Sequence, residues 1–177
     1  EGIKYLVKER KEENIKTVID MLEVEDKYKV AIETALGEVS NYLVLDEAKD
    51  AGRLIKLLEE NQKGKVTFIL NEKLTLDEFM FGFPEEDLDF LNDKAVHGFA
   101  DKFVKSKNDR YLLLIRYLLD EYVIVEDTST AMKYSKDNYY KFITLNGDII
   151  TQSFIRAGGN IKEENLKLGR ERQIERL

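Results

Sequence analysis

The stretch Tyr42-Leu43-Val44-Leu45-Asp46 decides the fold, because a copy of it stands eighty positions later as Tyr122-Val123-Ile124-Val125-Glu126. A continuous apolar run of this kind is typical of a strand that is buried on both faces. Ala51 and Ala131, in the helical patterns that follow, stand in the same register. A strand that recurs with its flanking helix indicates an internal repeat.

The residues around each copy extend the repeat. Val24 matches Val104, the helical segment 28–36 matches 108–116, and after a five-residue deletion the segment 67–70 matches 142–145. Helices that alternate with strands predict an α/β (mixed α+β) fold, and the register predicts two related lobes with a pseudo-two-fold relation. The alternative is that two α/β units of similar length are alike through composition alone.

The repeat suggests domain boundaries. We predict an entry segment at 1–17, lobe I at 18–80, a connector at 81–94, lobe II at 95–160 and, at 161–177, a helical segment compatible with the first turns of a coiled coil. Asp26 and Asp46 precede helical patterns and are predicted to cap them. Gly37 is a suitable residue for the end of the first helix.

Composition narrows the classes of function. The chain has 177 residues and no cysteine, which excludes disulfides and thiolate metal sites. The single histidine, His97, would have to bind zinc with carboxylates alone, so we interpret it as an ordinary histidine and expect no metal and no cofactor. We see no signal peptide and no apolar run of the roughly 18 residues that a membrane span needs, and expect a cytoplasmic protein.

No catalytic constellation stands out. Without cysteine, and without a Gly-x-Ser-x-Gly elbow around a serine, a nucleophilic triad has no support. The pair Gly158-Gly159 has neither P-loop nor dinucleotide-binding spacing. We therefore expect neither an enzyme nor a small-molecule substrate. An anion-binding α/β enzyme domain that uses the Gly158-Gly159 region remains an alternative.

The end of lobe II is the candidate dimer interface. Apolar Phe154 and Ile155 lie next to polar sequence, and two adjacent glycines let a second backbone approach closely. Exposed sheet edges of this kind invite strand addition from another copy. The full set of candidate interface residues is Gly37, Gly147, Phe154, Ile155, Gly158 and Gly159.

A basic cluster is the candidate nucleic-acid contact. Residues 18–160 carry 18 basic and 27 acidic side chains, so this surface repels phosphate on average and any DNA contact must be local and weak. A primarily nucleic-acid-binding domain remains a second alternative. The candidate contacts are Lys102, Lys105, Lys107, Arg110 and Arg156.

Several segments, in order along the chain, resemble the hinge domain of the structural maintenance of chromosomes (SMC) family. Residues 18–37, VIDMLEVEDKYKVAIETALG, resemble its opening, in which a short strand leads into a tyrosine, Ala-Ile-Glu and Ala-Leu-Gly. Residues 41–45, NYLVL, and 63–70, KGKVTFIL, resemble two of its strands. Residues 145–150, LNGDII, and 157–160, AGGN, resemble its Leu-Asp-Gly-Asp segment and closing Gly-Gly. The chain departs from the family pattern at Glu38, where a second glycine is usual, and at Ala157, where threonine is usual.

The resemblance implies a function that composition does not. It implies a bacterial homodimer in which lobe I of each chain meets lobe II of the other, so that two long coiled-coil arms are joined. It also implies a role in chromosome condensation and segregation. The parent protein is expected to be an ATPase whose heads lie outside this sequence.

Overall fold

The computed structural model describes residues 1–9, 15–75, 88–159 and 166–169. Residues 81–87 of the predicted connector, and the predicted coiled-coil segment apart from residues 166–169, lie outside the described residues. Helices and strands alternate along both halves, which confirms the α/β fold. None of the helices in the described ranges is long and apolar enough to cross a membrane.

The helices of the described residues are short and occur in equivalent places in the two lobes. Lobe I contains α2 and α3, lobe II contains α4 and α5, and α1 precedes lobe I. Their bounds are Gly2–Glu9 for α1, Lys29–Leu36 for α2, Lys49–Glu60 for α3, Leu112–Leu119 for α4 and Thr128–Ser135 for α5.

Each lobe is built on its own sheet. Sheet I has the order β1-β3-β4, with β1 (Lys16–Thr17) antiparallel and β4 (Phe68–Leu70) parallel to the central β3 (Leu43–Leu45). Lys16 and Thr17 therefore pair within the sheet of lobe I, although the sequence places them in the entry segment. The predicted boundaries otherwise remain a prediction.

Sheet II repeats this arrangement and adds a hairpin. Its order is β10-β9-β8-β7-β5, and β7 is flanked by antiparallel β5 and parallel β8 as β3 is flanked by β1 and β4. The strand bounds are Val96–Phe99 for β5, Tyr122–Val125 for β7, Lys141–Thr144 for β8, Ile149–Ile150 for β9 and Ile155–Arg156 for β10.

A two-stranded sheet joins the lobes. Strand β2 (Leu22–Val24) pairs antiparallel with β6 (Val104–Ser106), and Val24 lies opposite Val104. Val24 and Val104 are also equivalent in the eighty-residue repeat. A pseudo-two-fold axis between the lobes would place equivalent residues opposite each other in this way.

The helical and outer-strand registers predicted from sequence are wrong. Helix α4 begins eighty-three positions after α2, not eighty, and each helix follows a three-residue 3₁₀ turn that ends in tyrosine. Since Leu43 pairs with Phe68 and Val123 with Phe142, the outer strands match with a shift of seventy-four, not seventy-five.

The largest core cluster lies between the lobes. Buried residues of α2 and α4, including Ile32 and Leu114, fill it together with Val44 of β3 and Ile124 of β7. The neighbouring residues on each central strand point to the opposite face and pack in separate clusters, one for each lobe. Since side chains alternate along a strand, a continuous apolar run serves both faces.

Candidate dimer interface and inter-lobe contacts

Strand β10 presents an exposed edge. Among the described residues it is the last strand of sheet II, and all residues from 152 to 159 are exposed. Phe154 is 50% and Ile155 57% exposed, although both side chains are large and apolar. A terminal strand with exposed apolar side chains is a surface for strand addition.

The glycine pair after β10 is required by local geometry. Gly158 has φ +113° and Gly159 φ +70°, conformations that residues with a Cβ rarely adopt. The Gly158 N–H donates to Asp148 Oδ1 at 3.2 Å, and Asn146 Nδ2 donates to the Gly159 carbonyl at 3.3 Å. The first explanation of these glycines is therefore the turn itself, while the open space around them leaves room for a second chain.

The other two candidate glycines occupy different places. Gly147 lies in the turn between β8 and β9, and its N–H donates to the Thr144 carbonyl at 2.9 Å. Its neighbour Asn146 connects that turn to the glycine pair. Gly37 ends α2 in lobe I with φ +55°. The structure thus brings five of the six candidates to one end of sheet II and leaves Gly37 on the other lobe.

Strand β4 is a second open edge, which the sequence did not reveal. It is the last strand of sheet I among the described residues, whereas its counterpart β8 is covered by β9. Lobe I therefore shows no counterpart of β9 within those residues. Only the comparison of the two sheet orders exposes this difference.

A tyrosine of lobe II binds an aspartate of lobe I. The Tyr111 hydroxyl donates to Asp46 Oδ1 at 2.8 Å, and Arg110 Nη1 donates to Asp46 Oδ2 at 3.0 Å. Burial and the hydrogen bond to Asp46 raise the pKa of Tyr111 to about 12, so the hydroxyl remains a donor at neutral pH. The prediction that Asp46 caps a helix is wrong, since α3 has no side-chain cap and Asp46 connects the lobes instead.

The equivalent contact on the other side contains a histidine. Tyr28 occupies in lobe I the position of Tyr111, and Glu126 occupies in lobe II the position of Asp46. His97 lies between them, with Nδ1 3.0 Å from Tyr28 Oη and Nε2 2.6 Å from Glu126 Oε2. His97 is thus a partly buried histidine, as interpreted from sequence, and it ties the lobes together. Asp26, the other predicted cap, lies in the 3₁₀ turn before α2, and its Oδ1 pairs with Lys29 Nζ at 2.7 Å.

Two lobes joined by β2 and β6, with an exposed edge on each outer sheet, match a known architecture. The family model described as the flexible hinge domain of SMC proteins matches residues 11–135. The chain belongs to this family. The resemblance noted in the sequence is therefore confirmed.

Curated relatives carry the hinge within much longer chains. The chromosome partition protein Smc of Halothermothrix orenii is 32% identical over 99% of this chain, which covers 15% of that protein. The Bacillus subtilis protein of the same name is 30% identical over 89% of this chain and 13% of its own length. The hinge thus spans about one seventh of the length of these relatives.

Solved structures show the same fold. The SMC hinge domain of Geobacillus stearothermophilus, crystallised as an asymmetric dimer, matches with a TM-score of 0.80 and 26% identity, over 99% of this chain and 70% of that one. The Pyrococcus furiosus SMC hinge domain matches with a TM-score of 0.61 and 22% identity over 92% of this chain and 86% of that one, and supports the fold alone.

Two of the five candidate DNA-binding cations of the hinge have an acidic neighbour. Lys105 lies opposite Glu23 in the β2–β6 pair, and Arg110 is paired with Asp46. Lys107 lines a cleft between the lobes, and the Lys102 ammonium lies 6.0 Å from the centre of the Phe99 ring. Arg156 stands apart from these four, on β10. The structure therefore groups four of the five cations around β6 and the start of α4.

The cleft of the hinge has no preferred charge. It encloses about 560 Å³ between β1, β3 and α3 on one side and residues 106–111 on the other. Four cations and four carboxylates line it: Lys16, Arg53, Lys107 and Arg110 with Asp20, Glu23, Asp46 and Asp50. No cluster of three or more potential metal-ligating side chains occurs in the described part of the chain. The lining selects neither an anion nor a cation.

Proposed function

We propose that this hinge dimerises and joins two coiled-coil arms of a chromosome-partitioning SMC protein. The observation that carries the proposal is that, in the described residues, β4 ends sheet I and β10 ends sheet II on equivalent sides of their central strands. The family match, the names of the curated relatives and the dimeric Geobacillus hinge support it.

The two edges suggest how two copies meet. Strand β10 of one copy adds to β4 of the other, where β9 would lie if sheet I repeated sheet II. Main-chain hydrogen bonds then satisfy both edges. A two-fold axis makes the contact occur twice, so each dimer contains two equal interfaces.

Burial of the exposed apolar side chains adds to the main-chain pairing. Complete burial of a Phe or Ile side chain contributes about 1.5–3 kcal/mol relative to full exposure. Phe154 and Ile155 are each about half exposed, so their remaining burial contributes roughly 1 kcal/mol each. Four such side chains per dimer supply roughly 4 kcal/mol, which supports association only together with the strand pairing.

The experiment is a double substitution of Gly158→Glu and Gly159→Glu, followed by sedimentation analysis and circular dichroism. If each contact loses ~1.5 kcal/mol, two contacts weaken dimerisation by roughly a hundredfold. Gly52→Glu is the control for added charge, because Gly52 lies on the exposed side of α3, has open space around it and belongs to neither edge strand. A folded double mutant that remains fully dimeric at low micromolar concentration would remove this segment from the interface.

The wider role follows the curated relatives. We propose that the full-length protein is a nucleoid-associated, cytoplasmic ATPase whose heads lie outside these residues, and that the hinge touches DNA weakly. The alternative of an anion-binding enzyme domain gains nothing from the comparisons. The N–H of Gly158 already donates to the Asp148 carboxylate, and that charge repels an anion.

A further inference from the structure

The segment at residues 166–169 returns from lobe II to lobe I. Leu168 is 4% exposed and packs in the core cluster between the lobes. The backbone N–H of Lys167 donates to both carboxylate oxygens of Glu33 at 2.8 Å, and the N–H of Leu168 donates to Oε2 at 3.2 Å. One carboxylate of α2 thus holds two consecutive backbone groups of a segment more than 130 residues away.

Side chains around α2 strengthen this attachment. Lys167 Nζ donates to Asn41 Oδ1 at 3.1 Å, in the turn that follows α2. Gly169 has φ +79°, and a Cβ there would lie 2.9 Å from Lys29 Nζ at the start of α2. Residues 167–169 therefore lie against α2 and the turn after it, and a substituted residue at 169 would be strained.

Helix α1, which precedes lobe I in the chain, also packs on lobe I. Leu6 is fully buried in the cluster that contains Leu54 and Leu58 of α3. A Cβ on Gly2 would lie 2.6 Å from Val66 Cγ2 and 2.9 Å from the Lys63 carbonyl, so only glycine allows this close approach. Helix α1 packs on the face of sheet I that carries Leu43 and Leu45, opposite the face of Val44 and α2.

We infer that Glu33 is the positioning residue that fixes the root of the outgoing arm on lobe I, which thereby holds the roots of both arms. The existence of the arms rests on the proposed function. A carboxylate can accept several N–H donors, and charge-assisted bonds of this kind are stronger than neutral ones. Residues 167 and 168 are held on α2 of lobe I, whereas β10 belongs to lobe II. A rearrangement of the β10 edge therefore does not by itself displace the arm roots.

Amide hydrogen exchange, measured by NMR on the intact chain, tests the inference. We expect Glu33→Ala to accelerate exchange at Lys167 and Leu168 by at least about tenfold, because their acceptor is lost. Glu33→Gln keeps the shape and one acceptor oxygen, so exchange should fall between that of the alanine variant and that of the wild type. Glu38→Ala is the matched control, since Glu38 is an exposed glutamate in the turn after α2.

The outcomes separate this inference from dimerisation. A folded Glu33→Ala variant with unchanged exchange at both amides would overturn the role of Glu33. If that variant does not fold by circular dichroism, Glu33→Gln decides in the same way. Sedimentation of the wild type tests the dimer independently. A monomeric wild type would refute the proposed function, whereas the exchange rates would still test the role of Glu33.

Discussion

Tyr111 and Tyr28 occupy equivalent positions, and each is connected to an acidic residue of the opposite lobe. Tyr111 donates to Asp46 directly, whereas Tyr28 reaches Glu126 through His97. Glu126 can only accept hydrogen bonds when ionised, so His97 Nε2 carries the proton of that bond. That tautomer leaves His97 Nδ1 as the acceptor for the Tyr28 hydroxyl. His97 therefore connects Tyr28 of lobe I to Glu126 of lobe II.

Removal of either tyrosine hydroxyl should destabilise the hinge. We expect Tyr111→Phe and Tyr28→Phe each to lower the free energy of unfolding by about 1 kcal/mol, the usual contribution of one hydrogen bond at a partly exposed site. Urea unfolding at one protein concentration measures this. Tyr139→Phe deletes the same atom from a side chain that is 92% exposed and should change nothing. Stability equal to that of the control would show that these contacts do not hold the lobes together.

Asp120 makes stability depend on pH. Burial, followed by the nearby charges of Glu121 and Asp101, raises the pKa of Asp120 to about 6 from its ordinary 3.8. The folded state therefore binds the proton more tightly than the unfolded state, and the free energy of unfolding falls as pH rises from about 4 through about 6.

Asp120→Asn should remove this dependence. Because the side chain retains solvent contact, we expect a gain of less than about 1 kcal/mol above pH 6 and none near pH 4. Thermal or urea unfolding at pH 4, 6 and 8 measures it, and the exposed Asp137 supplies the control variant Asp137→Asn. A gain that is the same at every pH would argue against ionisation of Asp120 as its cause.

At the scale of the element, the exposed edge of lobe II offers a milder test of dimerisation than the glycine pair. The double substitution Phe154→Ser and Ile155→Ser keeps the turn geometry and removes apolar surface that is exposed in the single chain. We expect dimer affinity to fall at least tenfold while the fold is retained, because the lost burial occurs twice per dimer. Sedimentation equilibrium measures the change.

The control for this test is Tyr139→Ser, which removes an even more exposed aromatic ring from outside the edge strand. It should leave the dimer intact. Equal dimer affinity in the double mutant and the control would move the interface away from β10.

The central strands of both lobes were predictable, whereas the exact register of their helices was not. Six residues separate Val104 from Tyr111, whereas three separate Val24 from Tyr28. Three residues separate the end of α4 at Leu119 from Val123, whereas six separate the end of α2 at Leu36 from Leu43. The two changes cancel, so β3 and β7 match at eighty positions although α2 and α4 do not. A shift by three keeps the apolar face of a helix aligned, so periodicity cannot detect it.

Part of the candidate site was predictable from the sequence and part was not. Phe154, Ile155 and the glycine pair stood out because apolar and turn-forming residues adjoin in sequence. Asp46 was misassigned because a carboxylate before a helix suggests a cap, and nothing local shows that Arg110 and Tyr111 will reach it. The repeated triplets Asp26-Lys27-Tyr28 and Asp109-Arg110-Tyr111 were the signal available for these contacts.

At the scale of the whole molecule, charge opposes nucleic-acid binding. Residues 18–160 carry nine more acidic than basic side chains. Two of the grouped cations around β6 lie beside carboxylates, since Arg110 pairs with Asp46 and Lys105 lies opposite Glu23. A phosphate backbone would therefore compete with partners already present, and few counterions would be released on binding.

We expect duplex DNA to bind with a dissociation constant of about 10 μM or weaker at physiological salt, within the range of non-specific binding. If Lys102, Lys105 and Lys107 make the contacts, about three phosphates are neutralised, and affinity should fall roughly fortyfold between 50 and 200 mM salt. Fluorescence anisotropy over a salt series measures both quantities.

Replacement of these three lysines by glutamate should abolish the remaining binding. The matched control replaces Lys49, Lys56 and Lys133 by glutamate, since these exposed lysines give the same change of net charge away from β6. Equal losses in both variants would assign the binding to net charge alone. Tight duplex binding that survives the substitutions around β6 would show that both the charge argument and the choice of these lysines are wrong.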